Sequence, residues 1–243
     1  MSMEQVHKVG HIHPISSLIR EINQIFSAMG FSFAEGPQLE SEHYNFDMLN
    51  VPKDHPARDM QDTFFVKNEP GFVLRTHTSP VQVRYMENNK PPIRVIVPGK
   101  VFRNEATDIT HEAEFFQLEG LMVDEGIHLG HLKGVLEEFF SKLFKGSAEV
   151  RFRPSFFPFV EPGLEIDMRV MGDGVSEKLR GRWIEIMGAG MVHPNVLKNA
   201  GVDPKKYQGF AFGMGIDRLA ILRYGIEDIR LMHSADLRFI NQF

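Results

Sequence analysis

No cysteine occurs among the 243 residues. A disulfide framework, a thiolate metal site and a cysteine nucleophile are therefore all excluded. No run approaches the roughly 18 consecutive apolar residues that a membrane-spanning helix needs, and the opening MSMEQVHKVG has no apolar stretch of the signal-peptide kind. The expectation is a soluble, cytoplasmic protein with no membrane partner. Basic residues are also in short supply, 27 Lys and Arg against 32 Asp and Glu, for a formal charge of −5. An autonomous nucleic-acid binder normally carries a basic excess that neutralises phosphates, so any polyanion handled here must meet a local patch or a partner. Tryptophan appears once and tyrosine four times, against 21 phenylalanines. Phenylalanine-rich patches therefore need a reason.

What is present reads as one mixed domain over 1–243, a length that buries a single sizeable core. Ile15, Leu18, Ile19, Ile22, Ile25, Phe26 and Met29 recur at helical spacing, which predicts an amphipathic helix over 13–29 ended by Gly30. Its wide apolar face has to be covered, and a partner helix is one candidate. A short strand follows in GFSFAEGP, then a long polar, proline-containing loop over 50–62, of the kind that often carries function. Ser79-Pro80-Val81-Gln82 has the pattern of a capping box opening a helix. Strands are expected over 94–103, 115–123, 148–153, 164–170, 183–187 and 207–213, with helices over 131–144 and 215–224. Adjacent strands lack intervening helices, which favours an antiparallel α+β sheet over a doubly wound parallel one.

The segment VFRNEATDITHEAEFFQLEG places charged and amide side chains in two strand-like runs. Side chains two apart share a strand face, so Val101, Arg103 and Glu105 point one way, and Phe115, Gln117 and Glu119 point together on the return. Paired antiparallel, they form a polar and aromatic platform, while Phe116, Leu118 and Met122 turn toward a core. Such a platform suits a flat heterocycle bearing phosphates, because the ring stacks and a guanidinium pairs with phosphate oxygens. A solvated sheet face with a cross-strand Arg/Glu pair has the same spacing.

FRNE followed by HEAEF and FQLE resembles motif 2 of the class II aminoacyl-tRNA synthetases. GFSFAEGP with its preceding helix resembles motif 1, ending at Pro37, and FGMGIDRLAI resembles motif 3, with Asp217 where a glutamate is common. Within that class, RTHTSPVQVRYM, DHPARDMQDTF, RPSFFPFVEPGLEID, WIEIMGAGMVHPNVL and the terminal DLRFINQF are similar to the α subunits of bacterial phenylalanyl-tRNA synthetases. The resemblance runs from about Gly10 to Phe243. The family's N-terminal coiled-coil arm, which touches tRNA, has no counterpart here, so the expected unit is the catalytic domain alone.

The resemblance implies a class II synthetase-like antiparallel sheet flanked by helices. It also implies ATP-dependent activation of phenylalanine to its adenylate, followed by transfer to tRNA(Phe). Mg²⁺ would be the cofactor, and a β subunit the partner in an α2β2 heterotetramer. Arg103 would be the catalytic residue, gripping the α-phosphate and the amino-acid carboxyl, with Phe115 under adenine. Glu105 and His111 would order the ATP end, and Arg218 would meet the γ-phosphate. His77, Ser79, Gln82, Gln117, Glu119 and Gly213 would serve the amino acid; Phe157 and Phe159 would pack edge to face against its phenyl ring, and Ala211 would floor that pocket. For Ser79 and Gln82 the capping box offers an alternative task. Glu161 would be the Mg²⁺ ligand, shared with the β subunit, and Glu185 a weaker candidate. Ala189 stands where many relatives have cysteine, so that position is neither a required nucleophile nor a ligand. A paralogue adenylating another acid, or a non-catalytic interaction module, are the rival readings.

Overall fold

A computed structural model describes residues 10–54, 58, 63–109, 111–172 and 179–243. Its centre is a seven-stranded sheet in which every neighbouring pair is antiparallel except the first. In chain order the strands are β1 (Ser32–Phe33), β4 (Ile93–Phe102), β5 (Glu114–Asp124), β6 (Ala148–Phe157), β7 (Val160–Val170), β8 (Ile184–Val192) and β9 (Gln208–Gly215); the spatial order is β1-β4-β5-β9-β8-β7-β6. A two-stranded ribbon, β2 (Leu39–Ser41) with β3 (Phe72–Leu74), stands apart. The expected antiparallel α+β architecture is present, with β1 as its one parallel exception.

One face of the sheet is closed by helices α1 (Pro14–Ala28), α4 (Leu129–Leu143) and α6 (Ile216–Tyr224). Ile15, Leu18, Ile22 and Phe26 of α1 are buried in this core. The expectation of a partner helix is thus corrected: the chain covers the apolar face of α1 itself. Phe26 stacks on Phe139 at 4.8 Å and on Phe212 at 5.6 Å between ring centroids. Burying such rings contributes about 1.5–3 kcal/mol each, and Phe26, Phe139, Phe140 and Phe210 are among the largest side chains fully withdrawn from solvent. Part of the phenylalanine excess is core.

The other face is only partly covered. A second apolar cluster packs a 3₁₀ turn (Asp47–Leu49), α3 (Ser79–Asn88) and α5 (Pro194–Asn199) over β4 and β5. The hairpin register pairs Val101 with Phe115, Gly99 with Gln117 and Val97 with Glu119. Phe115, Gln117 and Glu119 consequently share this face, while Phe116, Leu118 and Met122 turn to the helices. One detail differs: β4 ends at Phe102, so strand alternation does not place Arg103 and Glu105.

Three strands, β6, β7 and β8, run at least four residues further than their hydrophobic pattern predicts. β6 continues through Pro154 to Phe157, which an edge strand tolerates because its outer N–H groups need no partner. β8 continues through Gly188-Ala189-Gly190 to Val192, where small residues, weak as a strand signal, face a cavity. The anticipated 50–62 loop lies partly outside the described residues; at its start Asn50 adopts the left-handed conformation, φ 62°. Among the described residues no helix is long and apolar enough to cross a membrane.

Candidate active site

The partly covered face holds a cavity of about 720 Å³. Its polar lining is organised around Glu119, which β5 carries to a position only 3% exposed. One carboxylate oxygen accepts from Ser79 Oγ at 2.7 Å and Gln117 Nε2 at 2.9 Å; the other accepts from Gln82 Nε2 at 2.7 Å. Burial pushes the Glu119 pKa up to about 7, although the Ser79 hydroxyl and the Arg75 charge pull the other way. A negative charge held in a desolvated pocket favours a cation.

These contacts overturn the capping-box reading. The N-cap of α3 is Thr78, without a side-chain cap, and Ser79 and Gln82 aim at Glu119 instead. The bonds that Ser79 and Gln82 donate to a buried carboxylate are charge-assisted and stronger than the neutral ones a cap accepts from the helix N–H groups.

His77 lies beside this cluster, 7% exposed, with Nδ1 lacking a partner among the described residues. Desolvation, followed by the charges of Arg103 and Arg75, lowers its pKa to about 3. The imidazole is therefore neutral and presents one donor and one acceptor. Gln117 likewise has a buried Oε1 without a partner. Two orphaned polar atoms in one cavity call for a polar ligand.

Arg103 enters from just beyond β4. Its Nε donates to the Thr76 carbonyl at 3.2 Å, its guanidinium lies 5.1 Å from the Phe115 ring centroid, and Glu105 is 3.9 Å away. Its pKa is lowered, first by burial and in part by the like charge of Arg218. Arg218 sits in the first turn of α6 and donates to the Glu185 carbonyl at 2.9 Å. Arg218 near a helix N-terminus and the buried Arg103 each offer a guanidinium to an anion. Asp217, the variant motif residue, is buried, accepting from Phe116 N at 2.7 Å and lying 2.7 Å from His233 Nε2.

The apolar wall comes from the tight turn between β6 and β7. Phe157 pairs with Val160, so only Pro158 and Phe159 make the reversal, and the Phe157 and Phe159 rings stack 5.9 Å apart. The Phe157 ring rests on Gly188, where a Cβ would come within 2.8 Å of it. Ala211 and Gly213 of β9 complete the lining; a Cβ on Gly213 would meet Gln117 Nε2 at 3.0 Å.

Arg103, His77, Ser79, Gln82, Gln117, Glu119, Phe157, Phe159, Ala211 and Gly213 thus line one cavity. Phe115 and Glu105 adjoin it through Arg103, and Arg218 acts on Arg103 through its charge. Two expected members stand apart. His111 is exposed and bonded to Asp108 at 3.0 Å. Glu161 lines a neighbouring cavity of about 520 Å³ behind the turn, its side chain 76% exposed and 3.4 Å from His193 Nε2. His11 and His13 make separate backbone contacts, and among the described residues no cluster of three or more His, Asp or Glu could hold a metal.

The family model of the tRNA synthetases class II core domain (F) matches residues 1–243. The chain belongs to the class II tRNA synthetases. Similar proteins include the phenylalanine–tRNA ligase alpha subunit of Caldanaerobacter subterraneus subsp. tengcongensis, 56% identical over 240 residues, which are 98% of this chain and 70% of that protein. The protein of the same name from Dehalococcoides mccartyi strain CBDB1 is 54% identical over 243 residues, 97% and 70% of the two chains. That of Geobacillus thermodenitrificans is 53% identical over 241 residues, again 97% and 70%.

Sequence reasoning missed the supports of this class II synthetase site. Arg75, 3% exposed, donates to the carbonyls of Lys100 at 2.8 Å and Gly36 at 3.1 Å, tying the motif 1 segment to β4. Asn45 bonds both the hydroxyl and the N–H of Thr76 and so holds the bend that presents His77. Neither residue belongs to a periodic pattern. The strand glycines 188 and 213 did carry a signal, because a glycine within a strand marks close approach.

Proposed function

We propose that this chain is the catalytic domain of a phenylalanine–tRNA ligase α subunit. The observation that carries the reading is a single cavity in which a buried carboxylate ringed by donors shares space with two stacked phenylalanine rings. The substrate ammonium binds Glu119, with Gln117 Oε1 accepting from it, and the phenyl ring packs against Phe157 and Phe159 above Ala211. ATP lies toward Arg103, its adenine on Phe115 and its terminal phosphates toward Arg218. The carboxylate oxygen of phenylalanine attacks the α-phosphorus, the bond from that phosphorus to pyrophosphate breaks, and Arg103 stabilises the charge that gathers on the α-phosphate oxygens. A hydroxyl of the terminal ribose of tRNA(Phe) then attacks the acyl carbonyl of the adenylate, the acyl–phosphate bond breaks, and AMP leaves as the ester forms.

Mg²⁺ commonly binds one or two carboxylates together with substrate phosphates and water. The carboxylate that this chain offers is Glu161, which lies in the neighbouring cavity behind the aromatic turn and apart from Arg103, so the chemistry at the α-phosphate rests on Arg103 alone. The exposure of Glu161 leaves room for a second subunit to complete the site, consistent with a β subunit in a heterotetramer of two α and two β chains working in the cytoplasm. An adenylating paralogue would have no use for the aromatic wall, and a non-catalytic module none for the polar cluster around Glu119.

The test is phenylalanine-dependent exchange of pyrophosphate into ATP by the complex with the β subunit. Arg103→Ala and Arg218→Ala should each lower exchange by about 10²-fold or more, the scale of losing one preorganised donor. Near wild-type exchange in both would overturn the reading.

A further inference from the structure

The aromatic turn is held from outside the cavity. Asn50 Nδ2 donates to the Pro158 carbonyl at 2.7 Å across 108 residues of chain. That carbonyl can only accept, so the orientation of the Asn50 amide is set, and its Oδ1 is left to receive a bond. Asn195 Nδ2 provides it at 2.9 Å. Asn195 is in turn part of the cap of α5, its N–H donating to His193 Nδ1 at 3.1 Å, while the His193 N–H donates to the Phe159 carbonyl at 2.9 Å. Two successive carbonyls of the turn, those of Pro158 and Phe159, are therefore pinned by different elements. Asn199 Nδ2 donates to the Met48 carbonyl at 3.2 Å and joins α5 to the 3₁₀ turn that ends at Asn50.

Asn50 borders the neighbouring cavity behind the turn and is not among the residues that line the large one. Its left-handed backbone, φ 62° and ψ 29°, aims the amide at Pro158; asparagine, aspartate and glycine are the residues that adopt this conformation most readily. A two-residue reversal has few ways to move, but its rings are fixed in plane only as well as its backbone is fixed.

We propose that Asn50, oriented by Asn195, is a positioning residue for amino-acid specificity, setting where Phe157 and Phe159 meet the substrate ring. The inference rests on the proposed phenylalanine substrate. A flat aromatic side chain needs the two rings in one arrangement, whereas a flexible aliphatic one of similar size tolerates their displacement.

The experiment compares Asn50→Asp, which keeps the size but replaces the donor by an oxygen that repels the carbonyl, and Asn50→Gly, which suits the backbone and removes the amide. Adenylate formation by the α–β complex is measured with phenylalanine and leucine, alongside KM for ATP and the thermal unfolding midpoint. Both variants should raise KM for phenylalanine about tenfold, the equivalent of one net hydrogen bond. The kcat/KM ratio of phenylalanine to leucine should fall by a similar factor, with KM for ATP unchanged. Asn195→Ala should shift the ratio in the same direction by less, and decides the matter if the Asn50 variants do not fold. A ratio equal to wild type in the folded variants, or a loss shared equally by phenylalanine, leucine and ATP, would overturn the inference. A wild-type enzyme that does not prefer phenylalanine would instead overturn the proposed function itself.

Discussion

Burial moves Glu119 and His77 in opposite directions on the pH axis, Glu119 up to about 7 and His77 down to about 3. Between the ordinary carboxylate value of 4.5 and about 7, folded Glu119 binds more protons than the unfolded chain does, so its contribution to stability falls as pH rises. Between about 3 and 6.5 folded His77 binds fewer protons than the unfolded chain, so its contribution rises with pH. The two slopes oppose each other where they overlap. Glu119→Gln should therefore gain stability relative to the parent protein as pH rises from 4.5 to 7, and His77→Gln should lose relative stability from 3 to 6.5. Thermal midpoints across that range, read as differences from wild type, check both signs; parallel curves would show that neither shift exists. On activity, KM for phenylalanine should rise as pH drops below about 7, because the proton competes with the ammonium. Glu119→Gln should cost about 10²-fold or more in kcat/KM for phenylalanine, since it removes one partner of a buried charge pair.

At the scale of elements, the β4–β5 hairpin was legible because period-two alternation over strands of 10 and 11 residues leaves one choice of face. The β6–β7 turn was legible as chemistry, two phenylalanines around a proline, but its extent was not, since Pro154 and the glycines of β8 weaken the strand pattern. Ser79 and Gln82 show the opposite case, a local motif whose side chains were redirected by a distant carboxylate. Ala211 gives the element-scale prediction. It pairs with Leu121 on one side and Gly190 on the other, in the middle of the sheet, where backbone adjustment is limited. Ala211→Gly should deepen the pocket and admit para-chlorophenylalanine with only a modest fall in phenylalanine activation. Ala211→Val should block phenylalanine through overpacking of about 1–3 kcal/mol. Adenylate formation with both amino acids measures this, and equal selectivity in the Gly and Ala forms would show that Ala211 is not the floor.

For the whole molecule, the described surface leaves work for a partner. Glu161 offers a single exposed carboxylate, and Phe33 on β1 with Leu39, Phe65 and Phe72 around the β2–β3 ribbon expose large apolar side chains. The expected outcome is that light scattering detects association of this chain with a β subunit, and that pyrophosphate exchange by the chain alone is far slower than by the complex. Full exchange by a monomer would refute the requirement.

The amphipathic period of α1, the alternation of the central strands and each of the three motifs were determined by the sequence alone, because each depends on residues within one or two turns or strands of one another. The tertiary structure decided the rest. It covered α1 from within the chain, turned Ser79 and Gln82 away from their helix cap, set Glu161 behind the aromatic turn rather than beside Arg103, and brought Asn50 to Pro158. These outcomes turn on burial and on contacts between residues of different elements, 37 and 40 positions apart for Gln82 and Ser79 and 108 for Asn50, where desolvation changes which partner a polar group prefers, and no local pattern encodes that preference.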